Sequence, residues 1–172
     1  MAFFTQDNKK MQKKSVNSKS KSPLKIITLS GTEGVTKNLT IYEWEDNIIA
    51  VDCGIGFPDS EMLGVDVVIP DLTYLTENTH KVKALFLTHG HEDHIGAVPY
   101  FLEHFPEVPI YSSKLVQGFL EEKLKEKRNK GKKMKFNLMT PDTEDVVVGP
   151  FTVTGIRLNH SVPASMLSLI HI

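Results

Sequence analysis

The stretch Leu85-Phe86-Leu87-Thr88-His89-Gly90-His91-Glu92-Asp93-His94 constrains this chain more than any other. An apolar run leads into three histidines and an aspartate within six positions. Imidazole and carboxylate are ligands for borderline divalent ions such as zinc, iron and manganese. The residues before His89 read as a buried strand, and those after Asp93 as a helix. The polar cluster then sits on a strand-to-helix turn at the carboxyl end of a strand, where open sheets place their chemistry. On such a turn His89 and His91 can address one position while Asp93 and His94 reach a second. One turn can therefore serve two metals. The plain alternative is a solvated, histidine-rich loop. Three of the chain's seven histidines fall here beside an aspartate, directly after a buried strand, which argues against that alternative.

The pattern His89-x-His91-x-Asp93-His94 resembles the HxHxDH signature of the metallo-β-lactamase superfamily. The flanking segments Phe57-Pro58-Asp59-Ser60-Glu61-Met62-Leu63-Gly64-Val65-Asp66 and Val68-Ile69-Pro70-Asp71-Leu72-Thr73-Tyr74-Leu75 resemble its ribonuclease J branch. The similarity runs from about Lys25 to Ser165. It implies an α/β fold, the N-terminal half of an αββα sandwich with two sheets face to face and helices outside. It implies hydrolysis of RNA phosphodiesters, by 5′-to-3′ exonuclease and endonuclease action, in RNA processing and decay. Two divalent ions are implied, zinc by preference with manganese as the alternative. His89, His91 and His160 would hold the first ion. Asp93 and His94 would hold the second, and Asp52 would support the assembly from a strand end. RNA is the implied partner, and a homo-oligomer the implied full-length state. Two other classes stay open: a small-molecule metallohydrolase of the same superfamily, and a non-catalytic, truncated chain that binds RNA through its lysines.

Composition suits one soluble globular domain: 172 residues, 40% hydrophobic, with a formal net charge of −1. No run has the length needed to span a membrane, and the N-terminus lacks the apolar stretch of a signal peptide. The single cysteine, Cys53, excludes an intramolecular disulfide and reads as a small packed side chain. These features fit a cytoplasmic protein. The even charge balance hides an asymmetry, because residues 1–24 carry six lysines and one aspartate. Residues 1–23 lack apolar periodicity and read as a disordered basic arm, either a solubilising extension or a loose RNA-attracting tail.

From residue 24 onward the pattern is that of a folded domain, expected to run to 166. Lys25–Leu29, Asn38–Trp44 and Asn47–Val51 read as strands, the last ending in Asp52-Cys53-Gly54. From the residues alone, Asp52 is equally a turn aspartate capping backbone amides. Val65–Ile69 reads as a short strand ended by Pro70, and Asp71 as the cap of a helix over about 72–78. The helix opening at Asp93 or His94 runs to about Phe105, with Pro99 predicting a kink or a late start. Pro109–Tyr111 is a strand and Ser113–Arg128 a helix with an apolar stripe. The basic tract Glu121–Lys135 is either a solvated face or a phosphate-attracting surface. Lys135–Met139, Asp145–Val148 and Phe151–Leu158 read as strands, the last leading to His160-Ser161-Val162-Pro163. Where the resembled family more often carries an acid, this chain has Ala164.

The final run, Leu167-Ser168-Leu169-Ile170-His171-Ile172, matches a translated sequencing-adapter end. Residues 167–172 therefore read as a non-native tail on a truncated chain, and His171 is not counted as a ligand. By resemblance, the remainder would carry a metal-bridging aspartate, a further histidine, an inserted β-CASP domain and a C-terminal domain. With only Asp93 and His94 at the second metal, the fragment alone is expected to be inactive.

Overall fold

The computed structural model describes residues 22–31, 34–126, 131 and 133–172. The basic arm lies almost wholly outside these residues, as do 127–130 and 132 of the basic tract. Six strands form one sheet in chain order: β1 (Lys25–Thr28), β2 (Thr40–Trp44), β3 (Asn47–Val51), β4 (Val82–Phe86), β5 (Pro109–Ser112) and β6 (Lys135–Leu138). β1, β2 and β3 are antiparallel, whereas β3, β4, β5 and β6 run parallel. Parallel neighbours need crossovers, and helices supply them. These are α1 (Thr73–Glu77), the pair α2 (Glu92–Ile95) and α3 (Val98–His104), and α4 (Lys114–Lys125).

The helices cover one face of this sheet. Leu75, Phe101 and Leu120 pack there in a cluster with Ile48, Ala50, Leu85 and Leu87. A three-stranded antiparallel sheet, β7 (Val146–Val148), β8 (Phe151–Arg157) and β9 (Met166–His171), covers the other face. Phe151, Val153 and Met166 meet Ile49, Ala84 and Phe86 between the sheets. β3 and β4 are thus buried on both sides, which is why their sequences are near-continuous apolar runs. The layers read helix, sheet, sheet, as expected for the N-terminal half of an αββα sandwich. On the outward face of the small sheet, Val147, Ile156, Leu167 and Leu169 are exposed. Leu167 to His171 extend β9, which pairs with β8 from Met166–Arg157 to His171–Thr152.

Three local outcomes refine the sequence reading. The strand expected over Val65–Ile69 does not form; only an isolated bridge joins Val68 to Gly56. Val65 and Ile69 are exposed, so no buried face fixes a register there. The single helix expected after His94 is two. Pro99 sits in the first turn of α3, where its missing N–H costs nothing. Asp71, expected to cap this helix, lies one residue before the cap position of α1, which Leu72 occupies without a side-chain bond; its carboxylate accepts from the Thr73 amide at 2.9 Å instead. Cys53 is fully buried, and burial pushes its thiol pKa up, consistent with a packed side chain. Among the described residues no helix is long and apolar enough to cross a membrane.

Candidate metal centre

The polar cluster is assembled where three strand ends meet. Asp52 follows β3, Thr88 and His89 follow β4, and His160 follows β8 on the other sheet. The Asp52 amide donates to Phe86 O at 2.8 Å, continuing the β3–β4 pairing to the lip of the site. Asp52 has a positive φ of 61°, which Asp tolerates better than most residues. The segment after it clamps the histidine turn. Cys53 N donates to His94 O at 2.7 Å and Ile55 N to Glu92 O at 3.0 Å. The amide of Ala97 donates back to Cys53 O at 2.9 Å. Gly90 between the two histidines lets the Phe119 ring pack close, since a β-carbon there would lie 2.6 Å from that ring and push it aside.

His89, His91 and His160 each turn one ring nitrogen to a shared centre, and these atoms all lie within 4.8 Å of one another. His89 Nε2 is 3.0 Å from His91 Nδ1, and His160 Nε2 is 3.2 Å from the same atom. Tetrahedral zinc with Zn–N bonds of about 2.0–2.1 Å spaces its nitrogens by roughly 3.3 Å. The three rings therefore fit a divalent ion with little movement. Three imidazole nitrogens are a donor set such ions accept. Asp93 and His94 form a second pair, with Asp93 Oδ2 3.4 Å from His94 Nε2.

The surroundings bias the protonation of these groups. Burial penalises the charged form of His89, which is 7% exposed, and His94 repels it further; its pKa is pushed down to about 4. Burial acts in the same direction on His94, but Asp52 Oδ2 accepts from its Nδ1 at 2.8 Å and outweighs that effect. The His94 pKa is raised. One ring is thus held neutral and its neighbour is favoured as a cation in the metal-free protein. An ion would displace that proton. Beside His160 opens a cleft of about 460 Å³, bordered by Thr140, Arg157, Val162 and Ser165.

All six residues singled out from the sequence, Asp52, His89, His91, Asp93, His94 and His160, gather in this region. His171 does not: it lies opposite Thr152, at the far end of β8 from His160. His80 and His104 lie outside the cluster as well. Three polar residues were not anticipated. Asn38 Nδ2 donates to Asp93 O at 2.9 Å and to Asp93 Oδ2 at 3.2 Å. Thr88 Oγ1 lies 3.0 Å from both Asp52 carboxylate oxygens, and Ser161 Oγ lies 3.2 Å from His91 Nε2. Thr88 and Ser161 adjoin histidines in the sequence, which is the signal that could have found them. Asn38 is 55 residues from Asp93 and carries no such signal.

The sequence pattern of the metallo-β-lactamase superfamily matches residues 37–168. The chain belongs to the metallo-β-lactamase superfamily. Within it, the chain is homologous to ribonuclease J. It is 41% identical over 143 residues to ribonuclease J of Mycoplasma pneumoniae, covering 83% of this chain and 25% of that protein. It is 41% identical over 150 residues to ribonuclease J of Synechocystis, covering 86% and 23% respectively. Ribonuclease J 2 of Staphylococcus saprophyticus is 43% identical over 149 residues, covering 86% and 26%. The chain spans about a quarter of the length of these relatives. Among solved structures, the metallo-β-lactamase-fold protein YhfI of Bacillus subtilis superposes with a TM-score of 0.59 at 21% identity, over 87% of this chain and 58% of that one. The short form of human tRNase Z gives 0.56 at 16% identity, over 85% and 64%. These two likenesses show the fold.

Proposed function

We propose that this chain is the N-terminal part of a metal-dependent ribonuclease that hydrolyses RNA phosphodiesters by 5′-to-3′ exonuclease and endonuclease action. The observation that carries the reading is the convergence of three ring nitrogens from two different sheets, in a chain over 40% identical to ribonucleases J. His89, His91 and His160 hold one divalent ion. Asp93 and His94 contribute to a second, zinc by preference and manganese as the alternative. When bound, such ions bring the pKa of water down to about 7 and offset charge growing on phosphate oxygens. The chain's own part is positional. Asp52 fixes the His94 ring through Nδ1, leaving Nε2 for the second ion, and Asn38 holds the Asp93 carboxylate beside it. The cleft beside His160, with Arg157 on its border, is the place proposed for the scissile phosphate.

Residues 24–166 are the domain portion in this reading, preceded by a basic arm over 1–23; residues 167–172 are read as a non-native tail that nevertheless pairs along β8 as far as His171. A second-ion position with only two protein ligands falls short of the three or four that stable zinc sites use. The fragment alone is accordingly inactive, and the full-length protein, a cytoplasmic homo-oligomer, is the active species. The test is to amplify the continuous gene and assay its product on single-stranded RNA labelled at the 5′ end. Metal-dependent release of label is expected. His91→Ala in that product should lose more than about 100-fold in activity, beyond the 10–100-fold typical of outer-shell partners. Unchanged turnover would remove the metal assignment.

A further inference from the structure

Neighbouring histidines in this site present different nitrogens to the centre. His89 offers Nε2 and His91 offers Nδ1. An imidazole can ligate only through the nitrogen that lacks a proton, so each ring must carry its proton on the outward atom. The two outward atoms face hydroxyls. His89 Nδ1 lies 2.9 Å from Thr88 Oγ1, and His91 Nε2 lies 3.2 Å from Ser161 Oγ.

The donor directions at Thr88 follow from proton counting. A carboxylate accepts only, and a hydroxyl has one proton to give. Thr88 Oγ1 stands 3.0 Å from both oxygens of Asp52, so its proton goes to that carboxylate. Its remaining lone pairs can only accept from His89, which places the His89 proton on Nδ1. The nearby His94 Nδ1 proton is already committed to Asp52 Oδ2 at 2.8 Å. Asp52 therefore acts on two rings at once, directly on His94 and through Thr88 on His89. The Thr88 amide also donates to Asp52 Oδ1 at 2.8 Å, so the carboxylate stays anchored without the hydroxyl.

We infer that Thr88 is a positioning residue that, through Asp52, sets the Nδ1–H tautomer of His89, and that Ser161 accepts the Nε2–H which ligation through Nδ1 leaves on His91, so that the two rings receive one ion through Nε2 and Nδ1 respectively. Neither hydroxyl touches the ion. Each holds an outward N–H and leaves the inward nitrogen bare. This rests on the reading of His89, His91 and His160 as metal ligands.

The test uses the whole chain with zinc alone as the probe. Long-range proton–nitrogen correlation spectra of the zinc-loaded wild type should show His89 protonated at Nδ1 and His91 at Nε2. Zinc affinity from chelator competition should fall about 10–100-fold in Thr88→Val, the range for lost outer-shell partners, and stay within about threefold in Thr88→Ser. Ser161→Ala, at a more open position, should cost about tenfold, the low end of that range. Three results separate the possibilities. A wild type that takes up no zinc overturns the metal-site reading and this inference with it. Zinc uptake with His91 bound through Nε2 overturns the Ser161 assignment. Zinc uptake with Thr88→Val as tight as wild type overturns the Thr88 assignment. If Thr88→Val does not fold, the wild-type spectrum decides, because a His89 proton on Nε2 would exclude the relay.

Discussion

Gly54 lies directly beneath the main-chain carbonyl of Asp93, so that a β-carbon at 54 would stand 1.6 Å from that oxygen. The obstacle is backbone, on a turn held by the amides of Asn38, Cys53 and Ile55. It cannot swing aside as a flexible side chain would. Gly54→Ala must therefore push the Asp93–His94 turn away from Asp52. A loss of about 3 kcal/mol or more is expected, at the upper end for point substitutions, together with loss of the His94–Asp52 bond. Denaturant unfolding and the His94 Nδ1 proton resonance check both. A stable Gly54→Ala chain with that resonance unchanged would show the close approach to be relaxed in solution.

The metal-free chain should lose stability as pH falls from 6.5 towards 4 through His89. The sign follows from its lowered pKa: in that window the unfolded chain takes up a proton that the folded chain refuses. His94 works oppositely, because its pKa is raised. Its contribution is complete below the ordinary histidine pKa and is lost as pH rises through the folded value. For His89 the effect has an upper limit of about 3 kcal/mol. Urea midpoints of metal-free wild type and His89→Asn, compared across the window, isolate it. The variant should show the shallower pH dependence.

Away from the metal centre, Glu43 is the buried charge that the fold depends on. It lies on β2 at 2% exposure and is met by Tyr74 Oη, by Lys81 Nζ at 2.9 Å and by Lys25 Nζ at 3.3 Å. Burial opposes its ionisation, but the three donors together hold its pKa below the usual value. Tyr74→Phe removes one donor and should cost about 1–3 kcal/mol. Glu43→Ala strands a tyrosine hydroxyl and a lysine and should cost about 3–5 kcal/mol. Thermal unfolding should rank the two in that order. Glu43's own contribution is present above its ordinary pKa of 4.5 and disappears as pH falls through the lower folded value.

Ala164 adopts a φ of +58°, which costs a side chain with a β-carbon and costs glycine nothing. Ala164→Gly should therefore be near neutral or stabilising, by up to about 1 kcal/mol, once its greater unfolded-state entropy is offset. Ala164→Val should be destabilising by more. A melting-temperature comparison of the three chains tests the ranking.

How much of this was legible follows from sequence distance. His89, His91, Asp93 and His94 belong to one turn, so their spacing alone brought them together. His160 is 69 residues from His91 and joins it only because the second sheet folds over the first. Resemblance to a family supplied that residue; periodicity could not. Asn38 was beyond reach for the same reason, since nothing local marks an asparagine that will meet Asp93. The failed strand at Val65–Ile69 shows the converse limit. Four apolar residues around Asp66 promise a strand, but a strand needs a ladder partner, and only Gly56 offers one bond pair. The split between α2 and α3 was readable from Pro99, because its ring acts within its own turn.

The placement of His160 on the small sheet has one more effect. A metal held by His89, His91 and His160 would be a cross-link between two layers that otherwise share apolar contacts and a few backbone bonds, such as Met166 N to Thr88 O at 3.1 Å. It would close a long loop of chain much as a disulfide does, with a closure entropy that grows only slowly with loop length. Unlike a disulfide, this link is reversible at constant redox state and strengthens with free metal concentration by mass action. The ion would then be a structural fastener as well as a reagent, and the ambient metal supply would set how firmly the sandwich stays shut.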